Sequence, residues 1–451
     1  MTMSRRENAL KYFEEQKDLV NDRVNSGIEL YRKGYATIKF VLPDGSVLKN
    51  VTFKAEQTSH DFNFGCNMFL LDEFETAEKN KIYRETFPKV FNYAIAPFYW
   101  DALEPEKGKP RYAADSKKVY RRPAPDLVLD YCNQNNIRVK GHCLVYDFFA
   151  PSWLPKDVPG IKREIRKHLI EIAERYHDTI KDWDIINETL WWDCYGDENT
   201  TRFYREDDYI EFCMKLADSL PFQRNFINET TGIWEEFKFT RSPYYMLLKN
   251  LEADHIPFDA IGMQTHQFIP REREAAFAAA RYNPMRIYDI LDTYGKFGKP
   301  LQISEVSIAS YNGDEEDMDI QAELVKNMYK VWFSHKNMDG ITYWNLVDGY
   351  TFVAGSEDGG ALDMTAGENQ YGAALLYNDL SPKPAFKALE NLINKEWHTC
   401  GVFGTNSDTG IATFKGFKGN YDIDFEYNGK KYHKNIHLDG RSDIAEIIVV
   451  D

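Results

Sequence analysis

Trp183-Asp184-Ile185-Ile186-Asn187-Glu188 is a short apolar run that breaks off on an asparagine and a carboxylate. Such runs, too short for a helix and apolar on both faces, read as strands buried on both sides. On either side, comparable runs stand at Phe62 to Gly65, Tyr93 to Phe98, Val139 to His142, Asn225 to Asn228, Ala260 to Gln264, Leu301 to Glu305 and Ile341 to Asn345. Helical patterns separate them. Together with Asp184 to Asn187 they make eight strands alternating with helices, which predicts an α/β fold, a (β/α)8 TIM barrel. Barrels of this kind gather their chemistry at the C-terminal ends of the strands, so the polar residues that close the runs are the first functional candidates.

Both ends of the chain read differently. From Arg5 to Arg32 apolar residues recur at helical spacing (Leu10, Tyr12, Phe13, Leu19, Val20, Val24, Ile28, Leu30), which predicts one amphipathic helix. Ala36 to Val41 and Val47 to Phe53 flank Pro43-Asp44-Gly45-Ser46, the pattern of a β-hairpin. Beyond Leu392 come short strand-like runs at Ile411 to Phe414, Tyr421 to Phe425, Lys431 to His433 and Ile444 to Val450, with Asn428-Gly429 as a turn. Neither end has enough strands to bury a core alone. The expected organisation is therefore an N-terminal helix and hairpin over 1–57, the catalytic barrel over 58–394, and a small β-sandwich-like module over 395–451. The hairpin is expected to pack with that last module as one accessory all-β domain.

Bulk properties remove several function classes. The 451 residues carry a formal charge of −16, and no Lys/Arg-rich stretch offsets it, so nucleic acid is not an expected partner. No apolar run is long enough to cross a membrane. The six cysteines, Cys66, Cys132, Cys143, Cys194, Cys213 and Cys400, form no CxxC pair and are expected to be buried free thiols. The N-terminal residues lack a signal-peptide pattern, which predicts a cytoplasmic location for the chain as written and a secreted one if a leader has been trimmed. Asp314-Glu315-Glu316-Asp317-Met318-Asp319 lacks the alternating spacing of a calcium loop and precedes a predicted helix, where acids suit the dipole, so no metal is expected. Nor is a cofactor expected, since no phosphate-cradling glycine loop or Schiff-base lysine motif is present.

The remaining candidates are carboxylates at strand ends. Cleaving a glycosidic bond takes one acid to protonate the leaving oxygen and one carboxylate to attack or to activate water. Glu188 and Glu305 stand in those places, at the ends of the fourth and seventh runs. Phe226-Ile227-Asn228-Glu229-Thr230, however, repeats the Asn-Glu-Thr of 187–189 at the end of the fifth run. Spacing alone leaves Glu188 and Glu229 as alternatives.

Gly141-His142-Cys143-Leu144-Val145-Tyr146, Trp183 to Glu188, Gly262-Met263-Gln264-Thr265-His266, Ile303-Ser304-Glu305, Tyr343-Trp344 and Ser381-Pro382-Lys383-Pro384-Ala385-Phe386 resemble, in order, the motifs of glycoside hydrolase family 10, the endo-β-1,4-xylanase family. The resemblance runs from about Phe62 to Asn394. It implies a retaining double displacement on a β-linked oligosaccharide or polysaccharide, with Glu188 as general acid/base and Glu305 as nucleophile. By the same resemblance Asn187 bonds the sugar 2-hydroxyl, His142 and Gln264 surround the −1 sugar, His266 bonds the nucleophile, and Trp344 lies under the −1 sugar.

Departures bear on the substrate. Where the family's second strand carries Glu, Asn and Lys for the −1 and −2 sugars, this chain has Ile95, Ala96 and Tyr99. The family's Trp-His after Leu-Val is Tyr146-Asp147, and the acidic residue two places after the nucleophile is Ser307. Tyr99 and Tyr146 thereby become substrate-facing candidates, and the glycone preference is expected to differ from xylan. Trp191 and Trp192 are candidates for an aglycone-side stacking surface. Hydrolysis of a β-glycoside other than xylan, or carbohydrate binding without cleavage, stands as the alternative reading.

Overall fold

The computed structural model describes residues 3–190, 204, 206–230, 232–354, 362–440 and 444–449. Eight parallel strands close into a barrel: β1 (Asn63–Asn67), β2 (Tyr93–Pro97), β3 (Arg138–His142), β4 (Asp182–Asn187), β5 (Arg224–Glu229), β6 (Ala260–His266), β7 (Leu301–Ser307) and β8 (Met338–Tyr343). Each pairs with its sequence neighbour, and β8 returns to β1 through Gly340 to Tyr343 against Asn63 to Cys66. Nearly every strand residue is buried because helices cover the outside and side chains fill the inside. The sequence places the strand ends within a few residues, β8 starting three earlier than Ile341.

Side chains alternate along each strand, and the inward ones here are largely polar. At the floor Arg224 joins Asp182 and Asp339 at 3.3 and 2.5 Å, and Tyr93 donates to Asp182 at 2.6 Å. One layer up, Lys140 lies 3.8 Å over the Phe226 ring and pairs with Asp184 at 2.7 Å. Two residues beyond Lys140 on the same face comes His142, whose Nδ1 meets Asp184 Oδ2 at 2.8 Å. A ladder of charge thus climbs the barrel axis towards its mouth. Register shifts between Asp184 and Ile186, and between Gly262 and Gln264, re-aim the ends of β4 and β6.

The chain ends correct two expectations and add one strand. The predicted single N-terminal helix is two helices, Arg5–Glu15 and Lys17–Gly27, meeting at Gln16. They pack on the barrel, where Arg5 pairs with Glu274 at 2.7 Å and Asp317 at 2.8 Å. The predicted hairpin closes only at its tip, with Leu48 N bonded to Phe40 O, after which the two strands part into different sheets. Lys33–Val41 is central in a three-stranded sheet between Ile411–Phe417 and Ile444–Ile448. Thr52–Gln57 joins a four-stranded antiparallel sheet between Cys400–Gly404, a strand the sequence reading missed, and Gly419–Tyr427, which pairs with Lys430–Leu438. The apolar faces of the two sheets meet through Ile38, Phe40, Phe53, Phe414, Ile423 and Phe425. Separate sheets solve a packing problem that a lone hairpin cannot, since a hairpin offers no second layer for its apolar face.

Of the cysteines, Cys66, Cys132, Cys143 and Cys213 are buried and free, whereas Cys400 is exposed on its strand and donates to Glu56. Cys194 lies outside the described residues. No helix among the described residues is long and apolar enough to cross a membrane.

Phe40 is fully buried between Phe53 and Phe425, with ring centroids at 5.4 and 4.5 Å. Phe40→Ala is expected to cost about 3–5 kcal/mol of the accessory core's stability, read as a lowered urea midpoint for that transition.

Candidate active site

The barrel mouth opens into a cavity of about 600 Å³ that Glu188 and Glu305 both line. Tyr99, His142, Tyr146, Asn187, Gln264, His266 and Trp344 line it too, so all nine residues singled out from the sequence converge there. Trp191 and Trp192 lie outside the described residues.

Glu188 follows the last residue of β4 in the left-handed region, at φ 55°, with its N–H bonded to Asn228 O at 2.9 Å. Few residues other than glycine adopt that backbone, and where they do the surroundings hold them in place. Tyr146 Oη donates to Glu188 Oε2 at 2.6 Å and Gln264 Nε2 to Oε1 at 2.9 Å. The tyrosine standing where the family has tryptophan therefore bonds the candidate acid directly.

Glu305 is 3% exposed and receives two donors. Asn228 Nδ2 reaches Oε1 at 2.8 Å, and His266 Nε2 lies 2.9 Å from Oε2. Asn228 also donates to Asn187 Oδ1 at 2.8 Å and accepts from Ser304 Oγ at 2.5 Å. Occupying Asn187 Oδ1 leaves the Nδ2 donors of Asn187 for a ligand in the cavity. This arrangement requires a residue without a side chain at 262, because a Cβ there would collide with the Asn228 amide. Sequence reasoning passed over Asn228. Its one visible signal is the repeat of Asn-Glu-Thr, of which the asparagine proves as important as the glutamate.

That repeated glutamate turns away from the cavity. Glu229 is 1% exposed and accepts from Thr189 N at 2.8 Å, Leu190 N at 3.4 Å and the Thr189 hydroxyl, so it clamps the backbone just past Glu188. Burial pushes its carboxyl up to about 7. The choice between Glu188 and Glu229 that spacing left open is thus made by direction, since only Glu188 faces the cavity.

Electrostatics follow the same neighbours. Burial is the largest influence on Glu305 and raises it to about 8, with the Glu188 and Asp184 charges adding and His142 and Asn228 opposing. Burial also presses His266 down to about 4, which makes it neutral at physiological pH. With Glu305 ionised, Nε2 of that neutral ring donates to the carboxylate, and Nδ1 accepts from Ser307 Oγ at 3.0 Å. A serine cannot stabilise an imidazolium as an acidic residue would, so His266 supports Glu305 as a dipole rather than as a cation. On Asp184 burial acts upward but is outweighed by Lys140 and His142, which hold it below the usual carboxylate range. His142 Nε2 then faces Tyr99 Oη at 3.1 Å and stands 4.0 Å from Glu305.

Trp344 floors the cavity, edge-on to His142, His266 and Phe69 with centroids 5.3, 5.8 and 5.4 Å away. Between β4 and β7 the barrel forms two walls. β1 to β3 and their loops supply Phe69, Tyr99, Arg121, Arg122 and Phe149, and β5 and β6 supply Thr230, Gln264, His266, Phe268 and Arg281. The arginines were not singled out from the sequence, where a charged pair in a loop reads as solvated surface. Asp314 and Asp317 serve the scaffold instead. Asp314 caps the helix Glu315–Ser334, and Asp317 receives Arg5 and Arg271.

A closed eight-stranded barrel with two glutamates facing across its mouth, each held by side-chain donors, defines a TIM-barrel glycoside hydrolase. Comparison with known sequences narrows the class: the model of glycosyl hydrolase family 10 matches residues 58–392. The chain belongs to that family, whose members act with retention. It is 24% identical over 269 residues to a β-1,4-xylanase of Dictyoglomus thermophilum, covering 53% of this chain and 70% of that protein. An endo-1,4-β-xylanase 5-like protein of Arabidopsis thaliana is 26% identical over 331 residues, 70% of this chain but only 50% of that one. Xylanase 10B of Thermotoga petrophila, solved with xylobiose, superposes with a TM-score of 0.56 at 20% identity, covering 74% of this chain and 95% of that one.

Two outcomes follow from the titrating groups. The unfolded chain gives up the Glu305 proton near the ordinary 4.5 and the folded chain near 8. Folded protein binds more protons across that window, so stability falls as pH rises through it. Glu305→Gln is expected to flatten this decline, read by urea unfolding at about pH 5 and about pH 8. Ser307→Asp places an anion beside His266 Nδ1, raises that imidazole and favours the Glu305 charge. The acid limb of the kcat/KM profile should move to lower pH, and an unmoved limb would refute the dipole account of His266.

Proposed function

We propose that this chain hydrolyses a β-linked oligosaccharide or glycoside by double displacement, with xylanase-like chemistry, Glu305 as nucleophile and Glu188 as general acid/base. One observation carries the reading. The two carboxylates line one cavity, and each has its own donors, Asn228 and His266 for Glu305 and Tyr146 and Gln264 for Glu188.

The reaction requires Glu305 ionised and Glu188 carrying a proton. Glu305 attacks the anomeric carbon, forming a C–O bond as the bond to the leaving oxygen breaks, and Glu188 gives that oxygen its proton. Glu188, now charged, takes a proton from water, whose oxygen attacks the same carbon and displaces Glu305. Asn228 and His266 place donors where charge returns to Glu305, and their positions are fixed before reaction, which is what makes such dipoles effective. Asn187 offers its amide donors to the sugar, in keeping with a contact to the 2-hydroxyl, and Trp344 gives the ring an apolar floor. His142, locked by Asp184, and Gln264, locked by Glu188, complete the −1 surroundings.

Hydrolysis of aryl β-xyloside, β-xylobioside, β-glucoside and β-galactoside by wild type and variants tests this reading. Glu305→Ala is expected to abolish turnover. Glu188→Ala should lose about 10²–10⁴-fold on poor leaving groups and much less on activated ones, because an activated leaving group needs no proton. Wild-type silence on every glycoside, with sugar binding intact, would instead identify a non-catalytic carbohydrate-binding barrel.

A further inference from the structure

The glycone wall has exchanged one kind of recognition for another. Ile95 and Ala96, where the family's polar residues belong, are buried and bring no side-chain polar atom, and the Tyr99 hydroxyl is engaged with His142. In the loop before the helix Pro125–Gln134, Arg121 and Arg122 line the cavity while only 3% and 9% exposed. Among the described residues neither forms an ion pair, and the Asp101 carboxylate acts on Arg122 only from beyond that distance.

Their surroundings differ in a way that separates their roles. Arg121 donates to Tyr350 O at 2.6 Å and to Asn345 Oδ1 at 3.1 Å, and Asn345 passes on to Glu368 at 2.7 Å, so a carboxylate balances Arg121 through an amide. Arg122 has no such relay. Its Nη1 donates to Arg121 O at 3.0 Å, and its guanidinium carbon lies 3.8 Å from the Tyr99 ring centroid and 5.4 and 5.2 Å from those of Phe69 and Phe149. Stacking on three aromatic faces positions the fork without neutralising it. With Nη1 engaged, Nε and Nη2 remain as one edge of parallel donors, the geometry that a carboxylate accepts with both oxygens. A buried guanidinium with no paired carboxylate is costly to maintain, and burial presses Arg122 below its ordinary value against the more distant pull of Asp101. Such a group beside an open cavity is balanced when an anionic ligand enters. Because Tyr99 lies between Arg122 and His142, which itself stands 4.0 Å from Glu305, the anion belongs to the glycone.

We propose that the substrate's glycone carries a carboxylate, as a uronic acid does, and that Arg122 receives it in a bidentate pair. This deepens the glycosidase reading and rests on it. Nitrophenyl β-glycosides with mono- and disaccharide glycones, each compared with its 6-carboxylated twin, test it in the full chain. Titration calorimetry with glucuronate and glucose separates binding from turnover. Wild type is expected to favour the carboxylated twin on the order of 100-fold in kcat/KM. Arg122→Gln should collapse that ratio towards one, and Arg122→Lys should restore part of it. Equal or better cleavage of the neutral twins by wild type overturns the proposal and leaves the glycosidase reading standing. A 6-sulfated glycoside preferred over the carboxylated one overturns the carboxylate assignment. Should no glycoside be cleaved while glucuronate binds through Arg122, the glycosidase reading fails and the anion site survives; if glucuronate does not bind either, both fall.

Discussion

Lys140 and Asp184 meet at 2.7 Å inside the barrel, each almost wholly removed from water. A buried ion pair of this kind contributes little net stability, because desolvating two charges offsets most of their attraction. What it supplies is position. Lys140 rests on Phe226 and fixes Asp184, which fixes the tautomer and plane of His142, which borders both Tyr99 and Glu305. Removing either charge would leave the other unpaired in the interior and release the imidazole at the mouth.

A second network does the same for the two carboxylates at the mouth. Asn228 holds Asn187 and Glu305 with one amide, for which Gly262 leaves room, and Glu229 clamps the turn that sets the direction of Glu188. These groups come from strand ends and their neighbours. Arg121, Arg122 and Phe149 come from the loops above. Such loop side chains can change without moving the strands that carry the two glutamates.

How far the sequence could be read depended on whether a residue's meaning was local. Apolar runs closed by polar residues gave the eight strands and placed Glu188 and Glu305, because strand ends and barrel mouth coincide in this architecture. The hairpin over 36–54 misled for the opposite reason. Its turn and its first backbone bond are present, yet the burial of two apolar faces pulled the strands into separate sheets. Lys140, two residues before His142 in an apolar strand, was a legible clue to an interior charge. Arg121 and Arg122 gave none, since a loop arginine looks the same whether it faces solvent or a cavity.

Periodicity and short-range order in the sequence were enough for the barrel and for glutamates at its strand ends, while the resemblance to family motifs singled out Glu188 and Glu305 among them. The tertiary structure was needed to show that Glu229 turns from the cavity as a clamp, that Asn228 links Asn187 to Glu305, that burial leaves His266 neutral beside Ser307, and that two arginines line the cavity. Each of those depends on which side chains meet across strands far apart in the chain, and on how much water their meeting excludes.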